Sequence, residues 1–284
     1  MDLDQQDRSV KTLASLRILI RGAGEMASGV ATRLYRSNFR RILMTDVQQP
    51  LAVRRSVSFC EAIRTGIHAV EEIRAQRVES LSEVPSVWIA EALPVIVDEE
   101  NIVKDIFSPD ILVDAVMAKK NTGTRLTDAP LVIGLGPGFV AGEDVHCVVE
   151  TNRGHNLGRL LHVGSATPDT GIPGSIAGHT ADRVLRAPCN GVFRAKLGIG
   201  DHVQAGSEIG KVANEPVTSQ VSGVVRGLIG EGLTVPTGLK IGDVDPRGEY
   251  AYCVTVSEKA RSLGGSVLEA ILARFNTCPP NSPL

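Results

Sequence analysis

An apolar strand that turns on two glycines into a helix constrains this chain more than any other feature. The run Ile18-Leu-Ile-Arg-Gly22-Ala-Gly24-Glu-Met-Ala27-Ser28-Gly29 fits a strand, G-x-G-x-x-A, helix pattern. Gly22 allows the sharp turn off the strand, Gly24 removes a side chain where a pyrophosphate approaches the backbone, and Ala27 lets the helix pack close to the sheet. The free amides and positive end of the helix then face the phosphates, and Ser28 and Gly29 complete the binding run. Asp46 ends the next strand, 22 residues beyond Gly24. A carboxylate there accepts hydrogen bonds from ribose hydroxyls and repels a 2′-phosphate, so NAD, FAD or another adenine nucleotide is expected ahead of NADP. Glu25 sits awkwardly, because a carboxylate beside phosphates needs solvent or a cation to face. The bland alternative is a turn of the same shape that binds nothing.

Strands alternate with helices beyond this turn. Arg17–Arg21 and Arg41–Asp46 read as strands, Met26–Ser37 and Val53–Thr65 as helices, and Val70–Val78 and Leu93–Val97 as further strands. Such alternation implies a parallel sheet, here a Rossmann-like unit over residues 16–103. Residues 104–186 read as a mixed, glycine-rich α/β region with strands at Ile111–Val116, Leu131–Leu135, Val145–Glu150 and Leu160–Val163.

An internal repeat follows. Residues 191–212 and 223–244 align without gaps at an offset of 32, with ten of 22 positions identical. Glycines set the turns and Val and Ile form short strands between them. Two copies are too few for a solenoid, so a pseudo-two-fold sandwich is expected, each copy covering the other's apolar face. A closing helix lies within 258–276, its apolar side read from Ser266 to Phe275.

Composition narrows the class. A net charge of -2 argues against nucleic acid and anionic membrane as partners. No apolar run approaches the ~18 residues that span a bilayer. The first fifteen residues lack an apolar stretch and do not read as a secretory signal. Both ends, residues 1–15 and 277–284, read as loose. The cysteines Cys60, Cys147, Cys189, Cys253 and Cys278 have no metal or redox spacing, so reduced thiols in a cytoplasmic protein are expected.

Several segments carry a resemblance over about residues 18–257. They are Arg21 through Gly29, Ser58-Phe-Cys-Glu-Ala62, Asp114-Ala115 with Lys119, and Gly134-Leu-Gly-Pro-Gly-Phe139 running into Ala141-Gly-Glu-Asp-Val-His146. Further on they are Glu150-Thr-Asn-Arg-Gly-His155, Leu157-Gly-Arg159, Asp169-Thr-Gly171 and Arg186-Ala-Pro188. With these the chain resembles the YqeB-like accessory proteins of the selenium-dependent molybdenum hydroxylase system. Its first part is similar to the Rossmann domain of xanthine dehydrogenase accessory proteins. The resemblance implies a role in maturing a molybdenum enzyme, with that hydroxylase or its maturation machinery as partner and molybdenum cofactor species as possible cargo. It implies no settled reaction. The repeat, within residues 187–257, resembles a biotinyl/lipoyl-like barrel-sandwich hybrid. Carriers of that class present a lysine at a hairpin tip, whereas residues 213–222 contain none, so neither biotin nor lipoate is expected. The expected fold class is thus α/β: an N-terminal Rossmann-like parallel sheet, a mixed glycine-rich region and a C-terminal all-β barrel-sandwich hybrid.

The candidate chemistry lies in the middle region. Lys119 and Lys120 follow a strand end, where ligands of α/β sheets bind. Either is placed to neutralise phosphate, or to act as a nucleophile if burial lowers its pKa, and otherwise the two are solvated turn lysines. Gly136 and Gly138 offer backbone amides for an anion or simply a tight turn. Asp144, His146 and His155 are the remaining catalytic candidates. His146 and Glu150 share one strand face and suit proton shuttling or metal binding, against the alternative of a wet surface strand. Arg153 and Arg159 are candidate anion clamps. No metal is expected, because the histidines lack paired spacing and no C-x-x-C exists. Cys60 and Cys147 are sulfur- or selenium-carrying thiols only if exposed and acidified; small buried thiols are favoured. The leading expectation is a nucleotide-binding accessory protein. The alternatives are an NAD-dependent oxidoreductase and a non-catalytic scaffold or nucleotide sensor that docks a partner. Whether the chain forms an oligomer is left open.

Overall fold

A computed structural model describes residues 12–276; residues 1–11 and 277–284, and with them Cys278 and most of the two ends read as loose, lie outside it. In chain order the first elements are β1 (Ile18–Arg21), α1 (Glu25–Arg36), β2 (Ile42–Asp46), α2 (Glu61–Thr65), β3 (Ile67–Val70) and β4 (Ile73–Val78). They continue with α3 (Val84–Ile89), β5 (Leu93–Val97), α4 (Val103–Phe107), β6 (Ile111–Asp114), β7 (Leu131–Leu135), β8 (Cys147–Val149) and β9 (Leu160–Leu161). These strands make one nine-stranded sheet in the order β3-β4-β5-β2-β1-β6-β7-β8-β9. Seven of them run parallel from β4 to β8, and the edge strands β3 and β9 run antiparallel to their neighbours.

Period-two burial explains why these segments are strands. Ile18 and Ile20 of β1 and Ile42 and Met44 of β2 enter one core, while Leu19 and Leu43 enter the core on the other face. A strand covered on both faces has to be apolar throughout, which is why the run reads without polar breaks.

The repeat region supplies β10 (Val184–Arg186), β11 (Gly191–Ala195), β12 (His202–Val203), β13 (Glu208–Val212) and β14 (Glu215–Thr218). It continues with β15 (Gly223–Leu228), β16 (Thr234–Val235) and β17 (Lys240–Asp245), followed by α5 (Ala251–Val254) and α6 (Glu258–Phe275). Two open four-stranded sheets form, β10-β17-β15-β12 and β14-β13-β11-β16. Phe193, Ile209, Val225, Ile241 and Val244 fill the core of this region. The copies exchange strands: β11 of the first pairs with β16 of the second, and β15 of the second with β12 of the first.

The expected fold class is therefore corrected. The first sheet is mixed, not a parallel Rossmann-like one, and it does not end near residue 103. Strands β6 to β9 extend it to Leu161, so the glycine-rich region is the second half of the same sheet. Its hydrophobic segments need the burial that only neighbouring strands supply. The repeat region closes no barrel and remains two open sheets, with β10 added from before the repeat. Two local readings change as well. Val53–Thr65 is a 3-10 turn at Arg55–Val57 followed by the short α2, and Val70–Val78 is the second half of a hairpin, β3–β4.

Helix α6 begins eight residues before its apolar run, at Glu258, with the Ser257 side chain accepting from the Ala260 amide. It lies against α1 rather than against the repeat. A Cβ on Gly29 would stand 2.6 Å from the Ala260 Cβ, and one on Gly264 would stand 2.8 Å from the Gly29 carbonyl oxygen and the Arg33 Cβ. Contacts that rise together along both helices mean that α1 and α6 run parallel, with both amino ends toward the carboxyl edge of the sheet.

Candidate functional site

The chain order reverses direction across the sheet at β1, which has β2 on one side and β6 on the other. Open sheets leave a crevice at the carboxyl ends of strands where that happens. Here the crevice is real. A cavity of about 300 Å³ is bounded by Gly22, Gly24, Glu25, Asp46, Cys60 and Ala115, among others. Gly22 takes φ +88°, and an added Cβ would lie 2.9 Å from the Ala115 carbonyl oxygen, so the turn closes tightly on the end of β6. Gly24 is the N-cap of α1, without a side-chain capping bond, and a Cβ there meets nothing within 4 Å. The helix start therefore opens on free space, where its first amides lack partners within the helix.

Asp46 stands at the rim. Its carboxylate accepts from the Ala23 amide at 2.8 Å through one oxygen and from the Val47 amide at 2.8 Å through the other. Each oxygen keeps a second acceptor position. Burial pushes this carboxyl above its ordinary range, against the two amides that favour its charged form. Glu25 has the cation it requires: Arg54, itself buried, reaches it at 3.1 Å and also donates to the Tyr252 and Thr255 carbonyls. The rest of the predicted binding run is structural. Ala27 is buried in the core, the Ser28 hydroxyl bridges the Ala23 carbonyl and the Phe59 amide, and Gly29 meets α6.

A second cavity of about 260 Å³ adjoins the first at Met117, which lines both. Its walls come from the loops after β6, β7 and β8, the 167–174 segment and the first turn of α6. Lys119 lies here, paired with Asp169 at 2.5 Å, in the left-handed region at φ +62°. The Gly136-Pro-Gly-Phe139 loop packs directly on it. A Cβ on Gly138 would stand 2.6 Å from the Lys120 backbone, and Pro137 lines the cavity while Gly136 abuts the Thr151 side chain. Lys120 itself is exposed and is not part of the cavity wall.

The titratable cluster 144–155 is dispersed. Asp144 accepts from the Val140 amide at 2.9 Å and shapes its own turn. The His146 Nδ1 accepts from the Val132 amide at 3.0 Å at the amino end of β8. Burial and then Arg274 lower its pKa, which keeps that acceptor neutral. Glu150, at the opposite end of β8, is buried and accepts from the Asn152 and Thr167 amides at 2.7 and 2.8 Å. About 13 Å of extended chain separates the two, so the face-sharing pair does no joint chemistry. His155 and Arg159 are exposed, and neither borders either cavity. Arg153 does border the second cavity and pairs with Glu258 of α6. Burial raises the Cys60 thiol well above its usual range, aided by Asp46 and Glu61, and raises Cys147 to about 11, so neither is a thiolate near neutral pH.

Two groups carry roles that the sequence did not assign them. Arg21 and Asp114, at the ends of β1 and β6, pair at 2.6 Å and share Thr124, fixing the loop between the cavities. Lys259 lines the second cavity from α6. Ser257, a good N-cap residue just before it, was the available signal. Among the described residues no group of three or more His, Cys, Asp and Glu side chains is placed to hold a metal ion. No helix among them is long and apolar enough to cross a membrane.

Fold and clefts define a mixed-sheet α/β protein with a two-part cavity along the carboxyl edge of its sheet. Over 255 residues the chain is 45% identical to the uncharacterized protein YqeB of Escherichia coli (strain K12), a match covering 90% of this chain and 47% of that protein. The chain is YqeB-like over this span, and it spans about half the length of the curated relative it matches. No protein-family model matches it. Among solved structures, a succinylglutamate desuccinylase/aspartoacylase from Rhodobacter sphaeroides aligns over 29% of each chain at 22% identity and a TM-score of 0.22. An aspartoacylase family protein from Mesorhizobium loti aligns over 81% of this chain and 84% of its own at 12% identity and a TM-score of 0.25. Similarities at that level transfer neither fold nor activity.

Proposed function

We propose that this chain binds a nucleotide, or a cofactor carrying one, with phosphate at the start of α1 and ribose beside Asp46. In this reading it is a cytosolic accessory protein in the maturation of a molybdenum hydroxylase, selenium-dependent by the resemblance of its motifs. One observation carries the binding half: Gly24 faces open cavity space, so packing within the protein does not demand a glycine there, while an approaching phosphate does. The ribose half is supported by the Asp46 oxygens, which retain acceptor positions at the cavity rim. The maturation half rests on the segments from Arg21 to Pro188 that carry the resemblance. The described residues offer partners for phosphate and sugar rather than a metal-ligand set, so the chain's own part would be to hold the organic portion of such a cofactor.

Gly24→Asp tests the reading. Aspartate is a good N-cap and interacts favourably with the helix dipole, so folding is retained. Its carboxylate occupies and repels the phosphate position. Calorimetric titration with NAD, FAD and ADP should show binding to the native protein and at least a roughly tenfold loss in the variant, about 1.4 kcal/mol. Equal affinity in both proteins removes the site from consideration.

A further inference from the structure

The second cavity is lined by three cations, Lys119, Arg153 and Lys259, and by one carboxylate, Asp169. Lys119 has Asp169 and Arg153 has Glu258, but Lys259, on the same wall, has no ion-pair partner within 4.0 Å among the described residues. These cations arrive from three directions: the loop after β6, the loop after β8 and the first turn of α6. Thr151 and Thr167 line the same cavity. Convergence from three sides suits a tetrahedral oxyanion better than a planar carboxylate, which one bidentate arginine serves best. The amino end of α6, an 18-residue helix, adds positive potential on the same side.

We infer that this cavity is a second oxyanion site, distinct from the glycine turn at α1, which binds a phosphate-type dianion through Lys259 with Arg153 and Lys119 beside it. It stands independently of the nucleotide reading, because none of the three cations belongs to the first cavity. The Lys259 ammonium is part-buried, so it has given up some hydration that a bound anion would replace. Burial lowers the Lys259 pKa, Arg153 lowers it further, and Glu25, Asp169 and Glu150 oppose them. Glu258 precedes it on the helix but is engaged by Arg153. An anion bound beside Lys259 favours its charged form, so binding draws a proton from solvent.

Calorimetric titration with inorganic phosphate and with pyrophosphate, in buffers of different ionisation enthalpy between about pH 7 and pH 10, reads both affinity and proton uptake. Native protein and Gly24→Asp should bind alike, with proton uptake seen above about pH 8, where inorganic phosphate is already the dianion and releases no proton of its own. Lys259→Met should bind at least tenfold more weakly. Lys259→Arg should restore binding without the Lys259 share of proton uptake, because guanidinium stays charged. Equal binding by Lys259→Met, tighter binding of succinate than of phosphate, or loss in Gly24→Asp alone would each overturn the inference. Retention in Gly24→Asp with no nucleotide binding anywhere would sustain it while removing the nucleotide reading. Parallel titration with ADP separates the free ion from a phosphate carried on a nucleotide: competition with pyrophosphate assigns the site to both.

Discussion

Gly22 and Gly24 stand two residues apart and are glycines for different reasons. Gly22 combines a positive φ with a carbonyl 2.9 Å from any added Cβ, so the fold itself forbids a side chain. Gly22→Ala should lower stability by roughly 2 kcal/mol, measured as a shifted urea midpoint at constant slope. Gly24 has open space, and its replacement should be felt by ligand rather than by fold. Lys259 shows the same division from the other side. Replacing a partly buried, unpaired ammonium with methionine should leave the protein as stable or more stable, by up to about 1 kcal/mol, while anion binding falls. A lower thermal midpoint for Lys259→Met would mean that the ammonium serves packing. The motif glycines were legible in the sequence because turn chemistry is local. The partners of Glu25 and Glu258 were not, since Arg54 and Arg153 meet them only after long stretches of chain have folded.

At the level of elements, the strands were read well because burial on both faces leaves a continuous apolar signature. Helix starts were harder. The apolar side read from Ser266 misses the first two turns of α6, where Gly264 passes close to α1. The β8 reading failed at its ends: period two put His146 and Glu150 on one face, but face is not proximity. Glu150 instead pins the 167 segment that forms one cavity wall. Burial alone would raise its pKa, but the Asn152 and Thr167 amides outweigh burial and leave it lowered. A lowered folded pKa contributes stability above the unfolded value and loses it as pH falls through the folded one. Glu150→Gln should therefore cost about 1–3 kcal/mol at neutral pH, with the gap to the native protein closing in acid below about pH 4. Denaturant titrations of both proteins across that range check it; a gap independent of pH would point to shape rather than charge.

Across the whole molecule, the segment between β2 and α2 joins the nine-stranded sheet to the paired sheets. Val53 accepts from the Leu228 amide, Arg55 donates to the Leu228 carbonyl, and Arg54 spans from Glu25 to the carbonyls before α6. Arg54→Ala would strand Glu25 and those carbonyls, and should cost on the order of 3 kcal/mol, with the loss seen by thermal unfolding. A change below about 0.5 kcal/mol would mean that water replaces the guanidinium without penalty. The internal repeat signals short strands, because its glycines and valines recur in step, but those strands form two open sheets and no barrel. The single wide sheet was hidden by the glycine-rich loops that interrupt it, which look like the limits of a domain and are the rim of a cavity.

The parallel contact between α1 and α6 has a consequence for how the protein is made. The outer side of α1 finds its cover only in residues that leave the ribosome more than two hundred positions later. Until then a nascent chain leaves uncovered the face at Gly29 and Arg33 on which Ala260 and Gly264 come to lie. Such long-delayed closure slows folding and lengthens exposure to aggregation. Release of the last helix, rather than emergence of the first strands, should mark the moment when the growing chain becomes resistant to protease.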